Sequence, residues 1–131
     1  MKNGKNIAED ISNELKELGF IIHRYDARTT NSIYLKIDFG LCCGIRIADH
    51  NGIKKYHYRF NVFKDYKGDK VILRDNLISY FYTFDEIPKL IEDIKKEKND
   101  KLKRYGLDSY KKYMENESKS NALFKRFKEV A

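Results

Sequence analysis

The chain has 131 residues, a formal net charge of +7, ten Tyr, two Cys and no Trp. That length suits one domain with a modest core. Two adjacent Cys exclude a disulfide framework and supply too few ligands for a structural zinc site. No apolar run has the length of a signal-peptide core or a bilayer span, so the sequence predicts a cytosolic, reduced protein.

In chain order, Asn6 and Glu9 fit a capping box, and Ile7, Ile11, Leu15 and Leu18 recur at helical spacing up to a stop at Gly19. Residues 20–25 read as a first strand and 27–32 as a polar turn. The stretch Ile33 to Phe63 is the organising element. Ile33, Leu35, Ile37 and Phe39 alternate with Tyr34, Lys36 and Asp38; Leu41, Cys43, Ile45 and Ile47 with Cys42, Gly44, Arg46 and Ala48; Tyr56, Tyr58, Phe60 and Val62 with Lys55, His57, Arg59 and Asn61. A period of two held over three runs predicts a half-buried antiparallel sheet. Adjacent strand residues face opposite ways, which sets Cys42 and Cys43 on opposite faces. Asn51-Gly52 marks a hairpin and Gly68 a second turn. One or two short strands follow, over 71–73 and 78–83.

A second helix, capped by Asp85 with Pro88 in its first turn, carries the stripe Ile87, Leu90, Ile91, Ile94, Leu102 and Tyr105, interrupted by Lys98 and ended by Gly106. Asp108 caps a third helical piece bearing Tyr110, Tyr113 and Met114. Residues 115–121 read as a break. Leu123, Phe124 and Phe127 are too apolar for a free tail; they dock on the domain, on a second copy as a homodimer contact, or on a partner. The expectation is a single α+β domain over 1–131: an N-terminal helix, an antiparallel sheet of three to five strands and C-terminal helices, with 107–131 a basic helical extension.

Charge is unevenly spread. Residues 1–94 hold 15 basic and 14 acidic side chains, and residues 95–131 hold 12 and 6. That excess suits attachment to nucleic acid or an acidic protein, or a solvated helix surface. Asp38, Asp49, His50 and His57 are the nearest approach to a metal or acid–base cluster, but without dedicated spacing they predict no metal site, no cofactor and no enzymatic activity. The polar sheet face, with Tyr34, Lys36, Arg46, Lys55, His57 and Arg59, is the better lead. Aromatic and basic groups on an open sheet take nucleic acid by stacking and phosphate contact. The alternative is a solvated face with Arg46 paired to Asp38 or Asp26. Lys101, Lys103 and Arg104, at the basic end of the long helix, are expected to join the sheet residues in one binding surface.

The segments IRIADH (45–50) and KYHY (55–58), with the charged helix 85–106, resemble small proteins of Gram-positive phages, in particular the broad-spectrum type II anti-CRISPR inhibitors. Those carry a similar I-R-L-S-N-H segment, a K-Y-H element and a Lys/Ile/Glu-rich helix. This chain lacks their Arg-rich N-terminal arm and has Asp49 where they have Asn. The resemblance implies a phage-encoded inhibitor in the host cytoplasm that binds a CRISPR effector or its guide RNA or DNA complex. Two other readings stay open: a nucleic-acid-binding phage accessory protein, and a sponge for an anionic nucleotide signal.

Overall fold

A computed structural model of the chain describes residues 4–28, 32–48, 57–67, 70–120 and 126–131, and across 57–81 it describes the backbone. Helix α1 (Gly4–Glu17) precedes strands β1 (Ile22–Asp26), β2 (Ser32–Ile37), β3 (Cys43–Ala48), β4 (His57–Lys67) and β5 (Lys70–Thr83). Helices α2 (Ile87–Tyr105) and α3 (Leu107–Ser120) and a two-residue strand β6 (Lys128–Glu129) follow. Every pairing is antiparallel, in the order β5-β4-β3-β2-β1-β6. This is the α+β arrangement the sequence predicts: a helix, an antiparallel sheet with the organising stretch at its centre, and C-terminal helices.

Register explains the core. Ile33, Leu35 and Ile37 stand opposite Ile47, Ile45 and Cys43, and all six are buried. Helix α1 lays Ile7, Ala8, Ile11 and Leu15 over this face, and α2 adds Leu90, Ile91 and Ile94. Each buried aliphatic side chain contributes about 1.5–3 kcal/mol. After α1, Phe20 N–H donates to Leu15 O and Gly19 N–H to Lys16 O, with Gly19 at φ 92°. These bonds satisfy helix-end carbonyls, and the positive φ is one glycine adopts freely.

Several local expectations are corrected. Helix α1 begins at Gly4, so Asn6 and Glu9 lie inside it rather than at its cap, and Leu18, past its end, is exposed. The N-cap of α2 is Glu86, not Asp85, because a 3-10 turn (Phe84–Glu86) leads into the helix; Pro88 still falls in the first turn, where a missing amide costs little. Residues 71–73 and 78–83 belong to one strand, β5. Helix α3 runs to Ser120 through much of the expected break. Among the described residues past α3, the chain is not helical. It ends in β6, which pairs with β1, while Val130 N–H donates to Ile22 O. Of the three docking options, Phe127 takes the first, against its own sheet.

The sharpest correction is at the end of β2, which stops at Ile37. Asp38, Phe39 and Gly40 all turn left-handed, at φ 52°, 59° and 84°. Such a conformation costs a non-glycine residue roughly 1–2 kcal/mol. Asp38 offsets it by accepting from Ile21 N–H (3.0 Å), Tyr110 Oη (2.7 Å) and Lys98 Nζ (2.9 Å). It is therefore buried beneath α2 and α3, not displayed beside Tyr34 and Lys36. Cys42 precedes β3, so the alternation expected of the cysteines does not apply; both thiols are buried in one core cluster. The expected turns at Asn51-Gly52 and Gly68, together with Asp49, His50, Lys55, Leu123 and Phe124, lie outside the described residues.

Candidate functional site

Because Ile33, Leu35, Ile37, Ile45 and Ile47 face the core, Tyr34, Lys36 and Arg46 face away from it. Tyr25 stands opposite Tyr34, Tyr34 opposite Arg46, and Arg46 opposite Arg59. His23 stands opposite Lys36, and His57 opposite Ala48. Five expected site residues, Tyr34, Lys36, Arg46, His57 and Arg59, thus share one sheet face, the last two by backbone register.

The described side chains of this face interlock as rings and cations. The Tyr25 and Tyr34 rings lie 6.1 Å apart, and the Arg46 guanidinium sits 5.9 Å from the Tyr34 centroid. Arg46 Nε and Nη2 reach Ser32 Oγ at 3.4 and 3.3 Å. Neither carboxylate expected to neutralise Arg46 does so: Asp38 holds Lys98, and Asp26 takes Arg24 in a two-pronged pair at 2.7 and 3.1 Å. Past β1, Phe127 lies 5.5 Å from Tyr25, and Lys36 Nζ lies 5.2 Å from the Phe127 centroid. Tyr25, Tyr34, Lys36, Arg46 and Phe127 are all half-buried. His23 is buried, packs on Phe39 at 4.9 Å and lies 3.9 Å from Glu129. Burial holds its imidazole below the usual range and Lys36 adds to this, while Glu129 opposes both.

The helix residues do not join this face. Lys103 and Arg104 are exposed on α2, which covers the opposite side of the sheet. Lys101 is not a surface cation at all. It is 4% exposed, and its ammonium donates to Leu41 O at 2.5 Å and Cys42 O at 3.5 Å, with Glu97 at 3.8 Å. The composite surface expected from the sequence is thus divided between two sides of the molecule, with Lys101 between the layers.

Sequence reasoning missed Tyr25, whose odd spacing from the core residue Ile22 in β1 would have found it, and Phe127, which no local pattern assigns to a sheet. Burial raises the Cys43 thiol well above its ordinary value and also pushes the Tyr110 phenol far up, with Cys42 and Asp38 adding to both. Both groups therefore stay protonated. Among the described residues, no three His, Cys, Asp or Glu side chains converge as metal ligands. No described helix is long and apolar enough to cross a membrane. The chain matches no protein-family model, no curated protein and no solved structure.

Proposed function

We propose that this protein is a stoichiometric inhibitor that acts by binding, without catalysis, and that its working surface is the open sheet face. Its partner is a guide-loaded CRISPR effector in the host cytoplasm, the class implied by the segments around Arg46 and His57. One observation carries the reading. Arg46 and Arg59 are directly opposed on neighbouring strands, whose axes lie only about 4.8 Å apart. Like charges so placed destabilise a sheet. A bound phosphate or carboxylate between them turns that repulsion into a chelating pair. Guanidinium groups suit this because their planar forks take such anions two-pronged.

The test is a titration of DNA cleavage by a purified guide-loaded type II effector. Inhibition is expected to be complete near one equivalent of the protein, and Arg46→Ala or Arg59→Ala should each shift the curve to at least tenfold higher concentration. Inhibition by far less than one equivalent would point to catalysis. Arginine variants that inhibit like the parent would dismiss the sheet face.

A further inference from the structure

We infer that the ligand of the open face is single-stranded nucleic acid, with bases stacked on Tyr34, Tyr25 and Phe127 and phosphates held by Arg46, Arg59 and Lys36. This rests on the proposed function and names the chemistry that the same face selects.

Cations alone would suit any acidic partner; the rings narrow the choice. Tyr34, Tyr25 and Phe127 form a file across β2, β1 and the C-terminal segment, with centroids 6.1 and 5.5 Å apart. Their planes are tilted by 31° and 42°. Each stays partly exposed. A cation lies over the ring at each end of the file: the Arg46 guanidinium over Tyr34 and the Lys36 ammonium over Phe127. Rings paired with cations suit a nucleotide, since a base can stack on a ring while its phosphate is neutralised nearby. Arg46 has five N–H donors, and among the described residues only Ser32 accepts from it, at two of its nitrogens. A duplex keeps its base faces stacked inside and could use only the cations. An acidic protein surface would answer the cations with carboxylates and could use the rings only as apolar contact area. Glu129, set opposite His23 on β6, is the carboxylate at the outer margin of the file.

The inference also gives the C-terminal residues a role. By pairing β6 with β1, they bring Phe127 to the end of the file and set it beneath Lys36.

The experiment is fluorescence polarisation with the full chain and fluorescein-labelled 12-nucleotide single strands of mixed sequence, one RNA and one DNA, beside the DNA duplex of the same sequence. Two salt concentrations separate stacking from charge. Tyr34→Leu and Phe127→Leu, which keep apolar bulk but remove the ring, should each weaken single-strand binding at least fivefold with the salt slope unchanged. Lys36→Ala should lower that slope by about 0.7. Tyr34→Phe should bind like the parent. Thermal melts check that each variant folds. Independently of any variant, a 4-thiouridine-labelled RNA strand should photocrosslink in the parent to peptides containing Tyr25, Tyr34 or Phe127.

Tighter binding to RNA or to DNA identifies the natural strand, and either supports the inference. Ring variants that bind like the parent would overturn it. So would a parent that prefers the duplex, or crosslinks confined to α2. If the parent holds the guide-loaded effector through Arg46 and Arg59 yet ignores both bare strands, the ligand is an acidic protein surface; this inference then fails while the inhibitor reading survives. If the arginine variants also leave effector binding unchanged, the inhibitor reading fails as well.

Discussion

Lys101 and Lys103 stand two positions apart on α2 and do opposite work. Lys103 projects into solvent, whereas Lys101 lies under the helix and donates to the carbonyls of Leu41 and Cys42. The sequence contains the clue. Counting from Ile94, Lys98 and Lys101 fall on the apolar stripe, which the long side chains continue with their methylene stems. Lys98 covers Phe20 at 4.5 Å on its way to Asp38. The spacing is legible, but a charged residue reads as exposed. Lys101→Ala should therefore cost about 1–3 kcal/mol, as buried carbonyls lose their charged donor, while Lys103→Ala should stay within about 0.5 kcal/mol of the parent. Urea unfolding of both variants measures this; equal stabilities would contradict the buried role.

His23 supplies a prediction with a definite sign. Burial lowers its pKa in the folded protein below the ordinary 6.5, with Lys36 lowering it further and Glu129 opposing both. Below pH 6.5 the unfolded chain therefore takes up a proton that the folded one resists. This contribution makes stability fall as pH drops from 6.5, and it levels off below the folded pKa. A series of thermal melts should show a steeper loss in the parent than in His23→Gln. An identical pH dependence in the two proteins would place the titration elsewhere.

At the scale of elements, the strands are the legible part because a half-buried sheet writes its two faces directly into alternate residues. In β2, Ile33, Leu35 and Ile37 alternate with Tyr34 and Lys36; in β3, Ile45 and Ile47 flank Arg46. Both patterns assign the faces as the structure has them. The turn at 38–40 is not legible: its left-handed path at Asp38 and Phe39 depends on acceptor contacts made with residues distant in sequence. Helix α3 hides in the same way as Lys101. Glu117 continues the face of Tyr110 and Tyr113 and is buried with them, so a run without an apolar stripe still packs.

The C-terminal pairing could not be read from two exposed residues, Lys128 and Glu129, yet it closes the edge of β1. Deleting residues 126–131 removes the Val130 bond to Ile22 and the Phe127 contact with Tyr25, and it leaves strand-edge groups of β1 open to other chains. The truncated protein should melt at a lower temperature and associate more strongly with concentration than the full chain. Calorimetry and sedimentation report both quantities; unchanged values would mean that the pairing contributes little.

At the scale of the molecule, two helices seal one side of the sheet, and the other side carries the ring-and-cation file. Cations are thus presented in two places with different mechanics. The Arg46 guanidinium is held on its strand by Ser32 and Tyr34, whereas Lys103 and Arg104 stand exposed on the outer helix surface. Held groups set binding geometry, and exposed ones chiefly speed encounter at low salt. The sequence discloses both sets of charges, but their separation follows from which sheet face α2 covers, a matter of packing rather than pattern. The most direct measurement is the affinity of a guide-loaded type II effector for two double variants, Arg46→Ala with Arg59→Ala and Lys103→Ala with Arg104→Ala, at low and at physiological salt. The sheet-face variant is predicted to lose binding at both salts, and the helix variant to weaken it mainly at low salt. A helix variant that abolishes binding, beside a sheet-face variant that folds and binds like the parent, would contradict the account.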